Sequence, residues 1–191
     1  MTIFKVNFPN GGKALDHQVS SRRRSLAPIR MGFQPGVGWI FWTLQGGGAR
    51  AQVSMSAVYD PLPEFVDWLE ACLEPAGTTS LLINEEAEDK WLVMQPGAVS
   101  EEGLFQVQGP YPKVVLLEVK VDRTEFVSKV VFRMGRFFSR RMDWETWARF
   151  SSPKFVQIED RPAGECSVKE LGKSYLEWVL QRFSEIHRNI G

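Results

Sequence analysis

The sequence has few of the side chains that most often carry reactive or metal-binding chemistry. Of its 191 residues, two are cysteine and two are histidine, and none of them lies at a spacing that zinc ligands use. Two cysteines cannot build the disulfide framework of a small secreted protein, and they fit a reducing compartment. We therefore expect no metal site and no disulfide-stabilised fold.

Long apolar runs are also missing. The densest apolar patch, from Val37 to Trp42, is far shorter than the roughly 18 residues that a membrane-spanning helix needs. The first residues lack both the basic start and the long apolar stretch of a signal peptide. We expect a cytoplasmic protein that does not cross a membrane.

The composition is that of an ordinary globular chain, apart from its aromatic residues. Hydrophobic residues make up 43% and charged residues 24%, and the length suits one domain spanning 1–191. The chain contains thirteen Phe and seven Trp but only three Tyr. This excess predicts a core, or a groove, built from large rings.

The first half of the chain reads as strands followed by a helix. Residues 3–8 alternate like a strand, whereas 13–35 are polar and aperiodic and are predicted to be a mobile loop. Strands at 39–44 and 49–59 flank a glycine turn at 46–48, which is typical of a hairpin. Asp60 and Pro61 then resemble the N-cap and first position of a helix whose apolar residues recur up to Leu73.

The second half predicts a meander and further helices. Strands are expected at 79–83, 90–94, 104–108 and 113–123. Residues 122–125 and 167–170 resemble capping boxes, and each is followed by apolar residues at helical spacing. A short helix is expected at 143–150 and an extended piece at 154–158. The expected fold class is α+β, with a mainly antiparallel meandering sheet covered by two or three amphipathic helices.

The candidates for catalysis or ligand binding are weak. The glycine groups lack the pattern of a phosphate-binding loop, so we expect no cofactor. His17 and His187 have no coordinating neighbour at a suitable spacing, Cys72 lies on an apolar helix face, and Cys166 is a loop thiol with no evident activating group. The acids Glu85, Glu86, Glu88 and Asp89 are more typical of a solvated hairpin tip than of a metal site. A site assembled from distant residues, in an enzyme or a small-ligand binder, stays open as an alternative.

Basic residues recur along one side of the helix predicted after residue 122. Lys129, Arg133, Arg136 and Arg140 follow one another at intervals of four, three and four residues, and Arg141 or Arg22 to Arg24 could extend this stripe. The ordinary interpretation is a solvated helix face that pairs with acids elsewhere in the chain. The functional interpretation is an acidic protein partner, ranked ahead of nucleic acid because the net charge is zero.

Two tryptophans form the other candidate contact. Trp39 and Trp42 point to opposite faces of one predicted strand, so either both faces are covered or one ring is exposed. Burial on both faces is the preferred interpretation. An exposed Trp39 or Trp42 would be an anchor for a partner, since tryptophan is common among the residues that dominate interfaces.

Charge is unevenly spread along the chain. Residues 1–56 carry a net charge of +6, residues 57–118 carry −10 and residues 119–191 carry +4. The order of the elements, with the segments 60–70 and 122–127, resembles small bacterial α+β proteins, some of which are similar to immunity proteins of polymorphic toxin systems. The resemblance covers about residues 39–140 and implies a protein-binding role. We therefore predict a non-catalytic protein-interaction module.

Overall fold

The computed structural model describes residue 26 and residues 28–110, 114–151 and 167–190. The described residues form two antiparallel sheets and four helices. The first sheet consists of β1 (Arg30–Gly36), β2 (Trp39–Gly46) and β3 (Ala49–Ser56), in that order. The second sheet consists of β4 (Thr79–Asn84), β5 (Asp89–Pro96), β6 (Glu102–Gln108) and β7 (Val115–Asp122), also in order. The helices are α1 (Leu62–Ala71), α2 (Arg123–Arg141), α3 (Trp144–Phe150) and α4 (Val168–Ile190).

The predicted fold class is confirmed. Within each sheet, every strand pairs antiparallel with its neighbour in the chain, as consecutive hairpins do. The strands form two sheets instead of one continuous meander, because α1 separates β3 from β4 along the chain. In the described residues, no helix combines the length and apolar character that a membrane crossing requires.

Both sheets contribute to one core, and Trp42 lies at its centre. Its ring stacks on Phe33 of β1 at 5.6 Å, meets Phe65 of α1 edge-on at 5.6 Å and lies 6.3 Å from Phe105 of β6. The aromatic excess therefore serves mainly to pack the sheets against the helices, since large rings bury the most apolar area per residue.

Helix caps formed by local hydrogen bonds fix where three helices begin. The side chain of Asp122 accepts the backbone N–H of Glu125 at 2.8 Å, and α2 begins one residue later. The Ser167 backbone N–H donates to the Glu170 carboxylate at 2.9 Å, while the Glu170 N–H donates to the Ser167 hydroxyl at 3.3 Å. These reciprocal bonds confirm the predicted capping box of α4. Asp143 caps α3 in the same way as Asp122 caps α2.

Two local predictions are wrong. Residues 30–35 were expected in a mobile loop, but they belong to β1, where Met31 and Phe33 alternate with Gly32 and pair with β2. The N-cap position of α1 is held by Pro61, and Asp60 instead turns into the core with a positive φ of 35°. Residues 13–25 and 27 of the predicted loop, the strand at 3–8 and the extended piece at 154–158 lie outside the described residues.

Candidate protein-binding surface

The stripe of basic residues on α2 borders a groove beside β1. The groove has a volume of about 400 Å³. We call it the arginine groove, and its lining includes Phe33, Phe132, Arg133, Arg136, Arg140 and Arg141. Three of the four residues predicted from the helical spacing therefore meet at one place, and Arg141 joins them.

Lys129 has a different role from the rest of the predicted stripe. Its ammonium group lies 3.0 Å from a carboxylate oxygen of Glu125, one helical turn earlier. It does not line the arginine groove. Pairing at this spacing is the usual way in which a helix surface neutralises its own charges. Lys129 therefore fits the ordinary interpretation of the stripe.

Arg133 joins α2 to the edge of the first sheet. Its guanidinium donates a hydrogen bond to the backbone carbonyl of Met31 in β1, at 2.8 Å. Near this contact the ring of Phe137 lies 5.9 Å from that of Phe33, so α2 packs on β1 along the groove. Arg133 thus has a structural partner and serves as one wall of the groove.

The remaining arginines have no acidic partner in the part of the chain that the structure describes. Within the described part of the chain, no ion pair involves Arg136, Arg140 or Arg141, and all three are exposed. The predicted pairing with the acidic middle of the chain is therefore not formed. Arg140 and Arg141 lie in the last turn of α2, where a positive charge also suits the helix dipole.

An exposed aromatic ring stands in the same groove. Phe132 is 63% exposed, although most phenylalanines of this chain are in the core. The guanidinium of Arg136 lies 5.6 Å from the centre of its ring, within the range of a cation–π contact. Helical spacing puts Phe132 on the side of α2 opposite the buried residues, but spacing alone does not show that this side borders β1.

The acids of the middle segment are used elsewhere. Glu85 accepts the backbone N–H of Ser54 in β3 at 2.6 Å and also pairs with Lys90. Glu86 accepts the hydroxyl of Ser56 at 2.6 Å. The tip of the β4–β5 hairpin was expected to be merely solvated, but these contacts attach it to the edge of β3. Its carboxylates therefore hold the two sheets together and do not neutralise α2.

The two candidate tryptophans have different positions. Trp42 is 0% exposed, so the idea that it anchors a partner is wrong for this structure. Trp39 is half-buried and stacks on Phe41, with ring centres 6.2 Å apart and planes 2° from parallel. The expectation that both faces of β2 are covered therefore holds only for the face that carries Trp42. Trp39 does not line the arginine groove.

The two reactive candidates that the structure describes, Cys72 and His187, do not form a site. Burial raises the pKa of the Cys72 thiol well above its usual value, which keeps the thiol protonated. His187 is exposed in the last turn of α4. His17 and Cys166 lie outside the described residues. Among the residues that the structure covers, no three His, Cys, Asp or Glu side chains are placed to hold a metal ion.

A buried carboxylate that the sequence did not reveal lies between the helices. Asp60 is 1% exposed and lies 2.6 Å from the hydroxyl of Tyr175, which donates to it, while the indole N–H of Trp147 donates at 3.3 Å. Burial raises the pKa of Asp60 to about 6, and the hydrogen bonds only partly oppose this. The group connects α1 to α3 and α4, and its enclosure makes it a structural side chain.

A second groove, between α1 and α4, contains an arginine that is already paired with three carboxylates. Its volume is about 720 Å³. Arg182 on its wall bonds Asp67 at 3.1 Å, Glu70 at 3.0 Å and Glu185 at 3.4 Å. A ligand would have to displace these pairs. The arginine groove is the better candidate, because its outer arginines form no ion pair with any described residue.

Comparison of the chain with protein-family models, with curated proteins and with solved structures gave no match. The arginine groove is therefore the feature of this molecule from which a function can be inferred.

Proposed function

We propose that this protein is a non-catalytic interaction module that binds an acidic region of a partner protein through the arginine groove. The observation that carries the proposal is the meeting of Arg136, Arg140 and Arg141, without acidic partners among the described residues, beside the exposed ring of Phe132. The sequence resemblance to immunity proteins agrees with a role of this kind.

Arginine and aromatic side chains are the residue types that most often dominate protein interfaces. The planar guanidinium binds a carboxylate through two parallel hydrogen bonds, and an adjacent ring contributes apolar contact. In the arginine groove, Arg136 already lies over Phe132. Its side chain therefore loses less conformational entropy when a partner binds. A carboxylate entering the groove would meet three donors of this kind.

A protein partner is favoured over nucleic acid. Nucleic-acid binders usually carry an overall positive field, whereas this chain has a net charge of zero and an acidic middle segment. The apolar surface of Phe132 and the neighbouring strand edge also suit a polypeptide. Binding to DNA or RNA is therefore treated as a result that would contradict the proposal.

The test reverses the charge of the groove. The variant carries Arg136→Glu and Arg140→Glu, and a control carries Arg50→Glu and Lys169→Glu, which are exposed residues on other elements. Both variants change the net charge equally. Proteins retained by the wild type from a lysate of the source organism are compared by quantitative mass spectrometry, and the candidate partner is then purified and titrated by calorimetry.

We expect the groove variant to bind the purified partner about 30-fold more weakly, because two charge interactions of about 1 kcal/mol each are lost. The control variant should bind like the wild type. The proposal is contradicted if no protein distinguishes the two variants. It is also contradicted if single-stranded DNA or RNA binds the wild type tightly at physiological salt and is released by the groove reversal.

A further inference from the structure

The outer edge of β1 is open. In the first sheet β1 pairs only with β2, and no other strand in the described part of the chain lies along its outer side. One backbone group on each edge of this sheet is held by a side chain: Glu85 accepts the N–H of Ser54 in β3, and Arg133 donates to the carbonyl of Met31 in β1. The other outward backbone groups of β1 form a short row of donors and acceptors that can pair with another chain.

The register identifies which backbone groups of β1 face outward. The turn between β1 and β2 has two residues, and Gly36 pairs with Trp39 across it. Because hydrogen-bonded pairs alternate in an antiparallel ladder, Gly32 and Gln34 bond to β2, whereas Met31 and Phe33 direct their N–H and C=O groups outward. The bond from Arg133 to the carbonyl of Met31 agrees with this direction.

The arginine groove borders this edge at Gly32 and Phe33. Arg133 contacts Met31, and Phe137 packs on Phe33. A step of two residues along β1 is therefore matched by a step of four residues along α2. A strand rises about 3.3 Å per residue and a helix about 1.5 Å, so both steps measure about 6 to 7 Å. These equal steps are expected of a helix and a strand that run side by side over this short length.

An added strand would bring alternate side chains to the arginines. It would lie about 4.8 Å from β1, and its side chains on one face would repeat about every 6.6 Å. Arg136 and Arg140 are four residues apart on α2, which is about 6 Å along the helix axis. Acidic residues at every second position of the added strand would therefore match the spacing of these two arginines.

We propose that an extended acidic segment of the partner protein adds to the edge of β1 as a further strand, with alternate carboxylates bound by Arg136 and Arg140. This rests on the proposed function and specifies the form of the partner. The N-terminal segment of this chain is a poor occupant, because residues 1–25 carry five Lys or Arg and one Asp. Strand addition of this kind takes affinity from backbone bonds and specificity from side chains.

The experiment uses the full-length protein and an eight-residue peptide of alternating Glu and Val, with fluorescence anisotropy as the measurement. Two further peptides carry N-methyl groups, one on every Glu amide and one on every Val amide. Only one of these two sets of amides can face β1. We expect one methylated peptide to bind at least about tenfold more weakly and the other to bind normally, because only one loses backbone bonds to the edge. A peptide of alternating Lys and Val should not bind.

Amide hydrogen exchange measured by NMR locates the contact. The peptide should slow exchange at Met31 and Phe33, whose N–H groups face outward, and leave Gly32 and Gln34 unchanged. If these two outward amides are already protected in the free protein, the edge is covered by the chain itself and the inference is overturned.

The outcomes separate this inference from the proposed function. One outcome overturns strand addition and leaves the proposed function standing. In that outcome binding requires Arg136 and Arg140, but both methylated peptides bind normally and the amides of Met31 and Phe33 are not protected. Failure of every acidic peptide to bind, or binding that ignores the charge reversal, overturns both.

Discussion

Replacing Asp60 with asparagine should change how the stability of the protein depends on pH. Asp60 is enclosed between helices, and its pKa is raised from 3.8 to about 6, chiefly by burial. The folded state therefore holds the proton of this carboxyl group more tightly than the unfolded state does. The stabilisation that this provides is complete below pH 3.8 and is lost as the pH rises through about 6.

The size of the effect follows from the shift. A difference of about 2.2 pKa units corresponds to about 3 kcal/mol, and about 2.5 kcal/mol of it falls between pH 4 and pH 7. Asparagine does not ionise and can still accept the hydroxyl of Tyr175. We therefore expect the free energy of unfolding of Asp60→Asn, relative to wild type, to rise by this amount from pH 4 to pH 7.

Urea unfolding followed by tryptophan fluorescence measures this difference, because Trp147 lies against Asp60. The control is Asp143→Asn at the N-cap of α3. Hydrogen bonds from Thr146 lower the pKa of Asp143, so its stabilisation is lost as the pH falls and the sign is opposite. The reasoning is refuted if the free energies of unfolding of wild type and Asp60→Asn differ by the same amount, within about 0.5 kcal/mol, at every pH from 4 to 7.

Two further predictions concern contacts that join distant segments. Arg123 is 2% exposed and donates to backbone carbonyls at the end of α1 and in β6. Arg123→Met should therefore lower the free energy of unfolding by about 3 kcal/mol, and a loss below about 1 kcal/mol in urea titrations would contradict this. Gly47→Ala should destabilise the protein more than Gly48→Ala. Both glycines have a positive φ, but only at Gly47 would the added carbon lie 2.6 Å from the carbonyl oxygen of Glu118. Equal losses of thermal stability in the two variants would show that this close approach is unimportant.

The parts of the fold that the sequence predicted are those determined by neighbouring residues. The capping box of Ser167 and Glu170 and the glycine turn of the β2–β3 hairpin need only contacts within a few positions. The segment Arg30–Gly36 was missed because its glycines and proline are typical of a loop, and only pairing with β2 makes it a strand. Asp60 was misassigned because its partner Tyr175 is 115 positions away.

The candidate site was predictable only in part for the same reason. Helical spacing placed Arg133, Arg136 and Arg140 on one side of α2, and the structure brings them to one groove. Helical spacing puts Phe132 on the side of α2 opposite the buried residues, so its exposure was predictable, whereas its place in a groove beside β1 was not. The open edge of β1 could not be foreseen, since β1 itself was predicted to be a loop.

The number of arginines on α2 is weaker support for binding than the position of one of them. Arg140 and Arg141 lie in the last turn, where the helix dipole gives a sufficient reason for positive charge, and Arg133 has a structural bond to β1. Arg136 has neither explanation. It lies before the last turn, without an acidic partner among the described residues, over the exposed ring of Phe132. Folding gains little from this pair, because both groups remain in contact with water. The pair is therefore the part of the surface that an acidic partner accounts for best.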